Sequence, residues 1–135
     1  MDNFLEQIRK DFKDFFIGEA PLPTDKYCVT GVPTRINKTI ITKNITFILS
    51  QNRDKHFKLG KTGNVPLRID KKDYRTAPYT KIFLLYKSRN KSFVESLERY
   101  YTIIYKPQKL NDNIDNNSLG TIISYDDFYI LYMVI

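Results

Sequence analysis

Residues 57–68 read Phe-Lys-Leu-Gly-Lys-Thr-Gly-Asn-Val-Pro-Leu-Arg. His56 to Gly60 form a short strand. Gly60 to Asn64 form a loop. Asn64 is placed to cap a helix, and Pro66 is tolerated in a first helical turn, so a short helix is expected near 65–72. Upstream, Gln51 to Lys55 is a polar turn. Residues 39–50 are β-branched and apolar, which predicts a strand at 44–50 and a second at 39–42. The segment 44–60 then becomes an antiparallel hairpin. Lys26 to Thr30 predicts another short strand.

Further out, residues 3–17 repeat Phe4, Leu5, Ile8, Phe12, Phe15 and Phe16 at helical spacing, which predicts an amphipathic helix packed on the domain as a lid. Gly18 ends it, and Pro21 and Pro23 block its continuation. Downstream, residues 80–87 predict a third strand. A second long helix opens between Asn90 and Ser92, with Ser92 and Glu95 as a capping box. Its core stripe is Phe93, Val94, Leu97, Tyr101 and Ile104, and Lys106-Pro107 stops it. Residues 111–118 are rich in Asn and Asp and read as a mobile loop. The aromatic stretch at 119–135 fits either a helix or a strand, with the balance toward a helix capped by Ser124. The expected architecture is α/β (α+β): a small, mainly antiparallel three-stranded sheet flanked by helices. An N-terminal helix and linker occupy 1–25 and a single domain occupies 26–135, with its core at 44–111.

The 135 residues are 41% apolar and carry one cysteine, Cys28, so disorder, a disulfide framework and a Cys/His zinc site are all excluded. No apolar run reaches the ~20 residues needed to cross a bilayer. The acidic start is unlike a signal or transit peptide, so a reduced, intracellular, cytoplasmic protein is expected. The net charge of +7 is uneven: residues 26–109 carry a surplus of 14 positive charges between two acidic ends. Such a block suits attraction to a phosphate backbone, or is a solvated lysine-rich surface.

Three stretches together resemble the GIY-YIG nuclease superfamily over about 44–111. In 57–68, Arg68 follows Gly60 by eight residues. In 97–107 (Leu-Glu-Arg-Tyr-Tyr-Thr-Ile-Ile-Tyr-Lys-Pro), Glu98 is followed by Tyr105 and Pro107 at the family spacing. Lys109-Leu110-Asn111 is similar to the segment that closes the domain. Lys58-Leu59-Gly60 falls on the second signature, with Lys58 in place of its tyrosine. This resembles the branch found in phages and large DNA viruses. The first signature falls on Ile45-Thr46-Phe47, with Phe47 in place of its tyrosine. The resemblance implies hydrolysis of DNA phosphodiester bonds with one Mg²⁺ or Mn²⁺ ion. In it, Arg68 binds the scissile phosphate and Glu98 holds the metal, with Glu95 the runner-up ligand.

A lone carboxylate is chemically sufficient for Mg²⁺, which keeps most of its waters. Arg68 can fork onto two phosphate oxygens. Lys58 is a candidate base or phosphate contact. His56, two residues away on the same strand face, is a second candidate base. Asn111 completes the candidate site, and Tyr74 or Tyr79 is a source of a replacement hydroxyl. Lys55, Lys61, Thr62, Asn64, Lys71, Lys72 and Arg75 are candidate nucleic-acid contacts. Three functions remain open: an endonuclease acting on DNA, a degenerate module that binds DNA or RNA, and a viral structural or interaction protein with a homodimer interface. No membrane partner is expected.

Overall fold

The stretch 44–60, read as a hairpin, divides between a helix and a strand in the computed structural model, which describes residues 20–70, 74–75, 79–113 and 127–135. The expected helix at 3–17, Lys71, Lys72 and residues 114–118 of the loop lie outside the described residues. The elements are β1 (Leu22–Thr24), β2 (Val29–Thr30), α1 (Arg35–Gln51), β3 (Lys58–Thr62), α2 (Val65–Ile69), β4 (Lys81–Ser88), α3 (Lys91–Tyr105) and β5 (Tyr129–Val134).

The strands expected at 39–42 and 44–50 are therefore corrected to α1. Thr34 caps it by accepting from Asn37 N–H at 3.1 Å. Thr39, Thr42 and Thr46 each donate a hydroxyl to the carbonyl four residues back, at 2.9–3.0 Å. That bond gives threonine a comfortable rotamer in a helix. Ile41, Ile45 and Ile48 recur on one face and are buried. Burying each contributes roughly 1.5–3 kcal/mol, against a helix-propensity cost of at most about 0.7 kcal/mol per residue, so packing outweighs the β-branched preference.

The sheet has five strands rather than three, in the order β1-β4-β5-β3, with β2 pairing along β4 as well. β1 and β2 run parallel to β4, while β5 is antiparallel to both β4 and β3. The three long strands are thus antiparallel, and the two short ones add a parallel border. The place beside β3 expected for residues 44–50 is taken by β5. Of the C-terminal stretch 119–135, weighed toward a helix, Tyr129–Val134 is a strand, and residues 119–126 lie outside the described residues. The strand is hydrogen-bonded on both sides and buried on both faces from Leu131 to Val134, so its sequence is continuously apolar and shows no alternation.

Alternation sorts the side chains onto two faces. On the helix face, Leu59, Phe83, Leu85, Leu131 and Met133 pack with the α1 isoleucines and with Val94, Leu97, Tyr101 and Tyr105 of α3. On the other, the tyrosine face, Tyr132, Val134 and Ile82 pack with Val65, Tyr74 and Tyr79. A register shift at Leu85 lets Tyr86 also face the helices. No described helix is long and apolar enough to cross a membrane.

Candidate functional site

The tyrosine face gathers the chemistry. Gly60 of β3 lies opposite Tyr132 of β5, and a Cβ at Gly60 would run into the tyrosine ring. The missing side chain lets that ring lie down over the strand. The Tyr132 hydroxyl meets the Tyr74 hydroxyl at 2.5 Å. Tyr74 is packed edge to face against both Tyr132 and Tyr79. Two cations approach the same ring: the Arg68 guanidinium at 4.0 Å from its centroid and the Lys58 ammonium at 5.8 Å. Asn64 caps α2 by accepting from Leu67 N–H at 3.1 Å, and that cap orients the turn carrying Arg68. Arg75 pairs with Asp70 at 3.1 Å.

A second cluster adjoins it. His56 Nδ1 is 2.8 Å from Asp112 Oδ1, and the Tyr79 hydroxyl donates to Asp112 Oδ2 at 2.6 Å. The segment 110–113 is held as a surrogate strand on the outer edge of β3. Phe57 N–H donates to Leu110 O, Asp112 N–H donates to Phe57 O, and the Asn113 amide bonds both the N–H and the C=O of Leu59 at 2.9 Å. These residues, read as the start of a mobile loop, are thus stitched to the sheet.

The remaining candidates go elsewhere. Lys61 points to the helix face because it is three residues from Lys58. Its side chain is 4% exposed and pairs with Glu95 at 3.2 Å. Lys61 is therefore corrected from a surface contact to a buried ion pair, and Glu95 from a capping-box acid to its partner. The cap of α3 is Asn90, which accepts from Phe93 N–H at 2.9 Å. Thr62 is spent in the turn, bonding Asn64 N–H at 3.0 Å and Asn64 O at 3.1 Å. Asn111 gives its amide to the Tyr105 carbonyl and accepts from Asn113 N–H, both at 2.8 Å, so it is a loop clasp. Lys55 lines a cavity of about 350 Å³ with Arg53 and Lys109, above a floor of Leu49, Phe57 and Leu110. Phe47, expected in a signature strand, is on the outer side of α1 beside Tyr27.

Glu98 is in α3, 5% exposed, one turn beyond Glu95 on the same flank. That helix packs on the face opposite Arg68. Asp112, the carboxylate bonded to Tyr79 of the tyrosine cluster, is already engaged by His56. No three of His, Cys, Asp and Glu gather as metal ligands among the described residues. The described donors around Arg68 therefore do not fit a divalent ion held by Glu98.

Arg68, Lys58 and His56, with Tyr74 and Tyr79, are thus brought onto one face. Asp112 and Tyr132 were missed from sequence. The signal for Asp112 is its place next to Asn111. Tyr132 had none, since its stretch fits either a helix or a strand and nothing in it marks a partner. No protein-family model, curated protein or solved structure matches the chain.

Proposed function

We propose that the tyrosine face binds the phosphodiester backbone of nucleic acid. The observation that carries this reading is the meeting of Lys58 and Arg68 on one buried tyrosine. Two cations are held there by packing, so little side-chain entropy remains to be lost on contact with phosphate. Arginine's planar fork suits a phosphate, and lysine adds a point charge. The basic surplus of residues 26–109 supplies the wider attraction.

The test is binding of fluorescent DNA and RNA oligonucleotides across a salt series. The affinity should fall with salt, and Lys58→Ala and Arg68→Ala should each reduce the slope by about one phosphate contact. Unchanged slopes in both variants would remove the reading.

A second reading, DNA hydrolysis with Mg²⁺ or Mn²⁺ as in the GIY-YIG superfamily, is favoured by the phenols. Tyr132, on the strand beside β3, and Tyr74 supply the hydroxyls that Phe47 and Lys58 lack. Cleavage of DNA that requires added metal, is lost in Arg68→Ala and persists in Glu98→Gln would support it over binding alone, with the ion held by a group other than Glu98.

A further inference from the structure

We infer that His56 is a proton acceptor and that the nucleic acid cleaved at this face is RNA, by attack of its own 2′-hydroxyl. The inference rests on the phosphate-binding reading of Lys58 and Arg68. Asp112 Oδ1 sits 2.8 Å from His56 Nδ1, so the carboxylate holds the proton on Nδ1 and leaves Nε2 as the basic nitrogen. The Tyr79 hydroxyl fixes the other carboxylate oxygen at 2.6 Å, and the Asp112 backbone is tied to Phe57 at 2.8 Å. The imidazole side chain itself is 49% exposed, so its free nitrogen is open to a substrate. An orienting carboxylate, a fixed tautomer and an accessible nitrogen are the parts of a general base.

His56 and Lys58 are two residues apart on an extended segment, so their side chains leave the same face about 7 Å apart at the backbone. A phosphate held by Lys58 and Arg68 is therefore next to the imidazole. Below them the buried Tyr79 ring, whose hydroxyl bonds Asp112, packs edge to face on Tyr74, which ties the imidazole cluster to the cationic one. A base with two cations is the set that transesterification requires. In RNA the nucleophile is already attached, and such intramolecular attack gains effective molarities of roughly 10⁵–10⁸ M. DNA lacks the hydroxyl.

The step balances as follows. The 2′-hydroxyl gives its proton to Nε2 of His56 as the O2′–P bond forms. Arg68 and Lys58 neutralise the extra charge on the pentavalent phosphorus. The P–O5′ bond breaks, and the leaving 5′-oxygen takes a proton from the Lys58 ammonium. The products are a 2′,3′-cyclic phosphate and a 5′-hydroxyl. His56 and Lys58 then exchange their proton difference through water.

The experiment uses the full chain with end-labelled single-stranded RNA in excess EDTA. The expected result is cleavage to a 2′,3′-cyclic end, identified by mass. DNA of the same sequence should be untouched, and one 2′-deoxy substitution should protect its own bond. His56→Ala and His56→Gln, purified in parallel, should slow cleavage at least about 100-fold while binding stays within about twofold. Asp112→Asn should also slow it, with binding kept. Cleavage that is absent in EDTA, or equal in the His56 variants, would overturn the inference yet leave the binding reading standing. Loss of the Lys58 and Arg68 salt effect would instead bring down the binding reading itself.

Discussion

Tyr132 lies opposite Gly60 across the β3–β5 ladder, and its ring fills the space that any side chain at Gly60 would need. The glycine is there for clearance, since its backbone lies within a strand and the ring above it is 1% exposed. The same ring carries the hydroxyl that meets Tyr74, on which Arg68 rests. The clearance at Gly60 therefore sets the height of the whole cationic site.

Gly60→Ala is expected to destabilise the protein by about 1–3 kcal/mol, the usual cost of overpacking, because a buried ring has no free direction in which to move. Urea unfolding measures it. Combining Gly60→Ala with Tyr132→Leu removes the clash, so the double variant should be more stable than the two single losses added together. Strict additivity would mean that the ring is not what Gly60 accommodates.

Lys58 and Lys61 give opposite outcomes although both are lysines of β3. Lys58→Ala should weaken nucleic-acid binding and leave stability within about 0.5 kcal/mol, as for other sites away from the core. Lys61→Ala removes the partner of the part-exposed Glu95, one turn from the buried Glu98, so stability falls by about 1–2 kcal/mol and the salt dependence of binding stays as it was. Thermal unfolding and a salt titration on the same preparations separate the two.

Asn113→Ala should detach the 110–113 segment from β3. Both backbone groups of Leu59 lose their partners, at a cost of about 1–3 kcal/mol. Hydrogen exchange at Leu59 N–H should accelerate. Asp112 is held beside His56 by this segment, so RNA cleavage should fall with it, while Asn113→Asp recovers only the contact to N–H. Unchanged exchange at Leu59 would show that Asn113 does not hold the edge.

Much of this was readable from residue order. The Asn64 cap, the helix bearing Arg68, the strand at β4 and the helix bearing Glu98 all follow local rules, namely a capping amide, an alternating run and a 3.6-residue stripe. The pairing of His56 with Lys58 followed from alternation, and the same parity would have placed Lys61 on the opposite face. What failed was non-local. In α1, threonines bonding back to carbonyls and three isoleucines in the core outweigh β-branched propensity, and no single-residue preference reports that. In β5, burial on both faces erases the period that separates strand from helix. Asp112 and Tyr132 reach the site through strand pairings that join distant parts of the chain. Their roles depend on partners the local sequence does not name.

Tyr101 links stability to alkaline pH. Burial pushes its phenol up to about 12, opposed by the hydrogen bond with Thr42 at 2.7 Å, and burial raises its neighbour Tyr105 as well. In the unfolded chain a tyrosine ionises near 10. Below that value both states keep the proton and the buried phenol costs nothing. As pH rises from about 10 toward about 12, the unfolded chain gives up its proton while the folded one retains it, so the unfolded state is favoured. Stability should therefore be flat up to about pH 9.5 and fall by roughly 1–2 kcal/mol from Tyr101 alone by pH 12, since solvent screens part of the full shift. Tyr101→Phe loses its bonds to Thr42 and the Lys38 carbonyl, about 1 kcal/mol at neutral pH, but removes this share of the alkaline loss. Urea midpoints of both proteins at pH 8, 10 and 11.5 should converge as pH rises. Parallel curves would show that ionisation of Tyr101 is not what the fold resists.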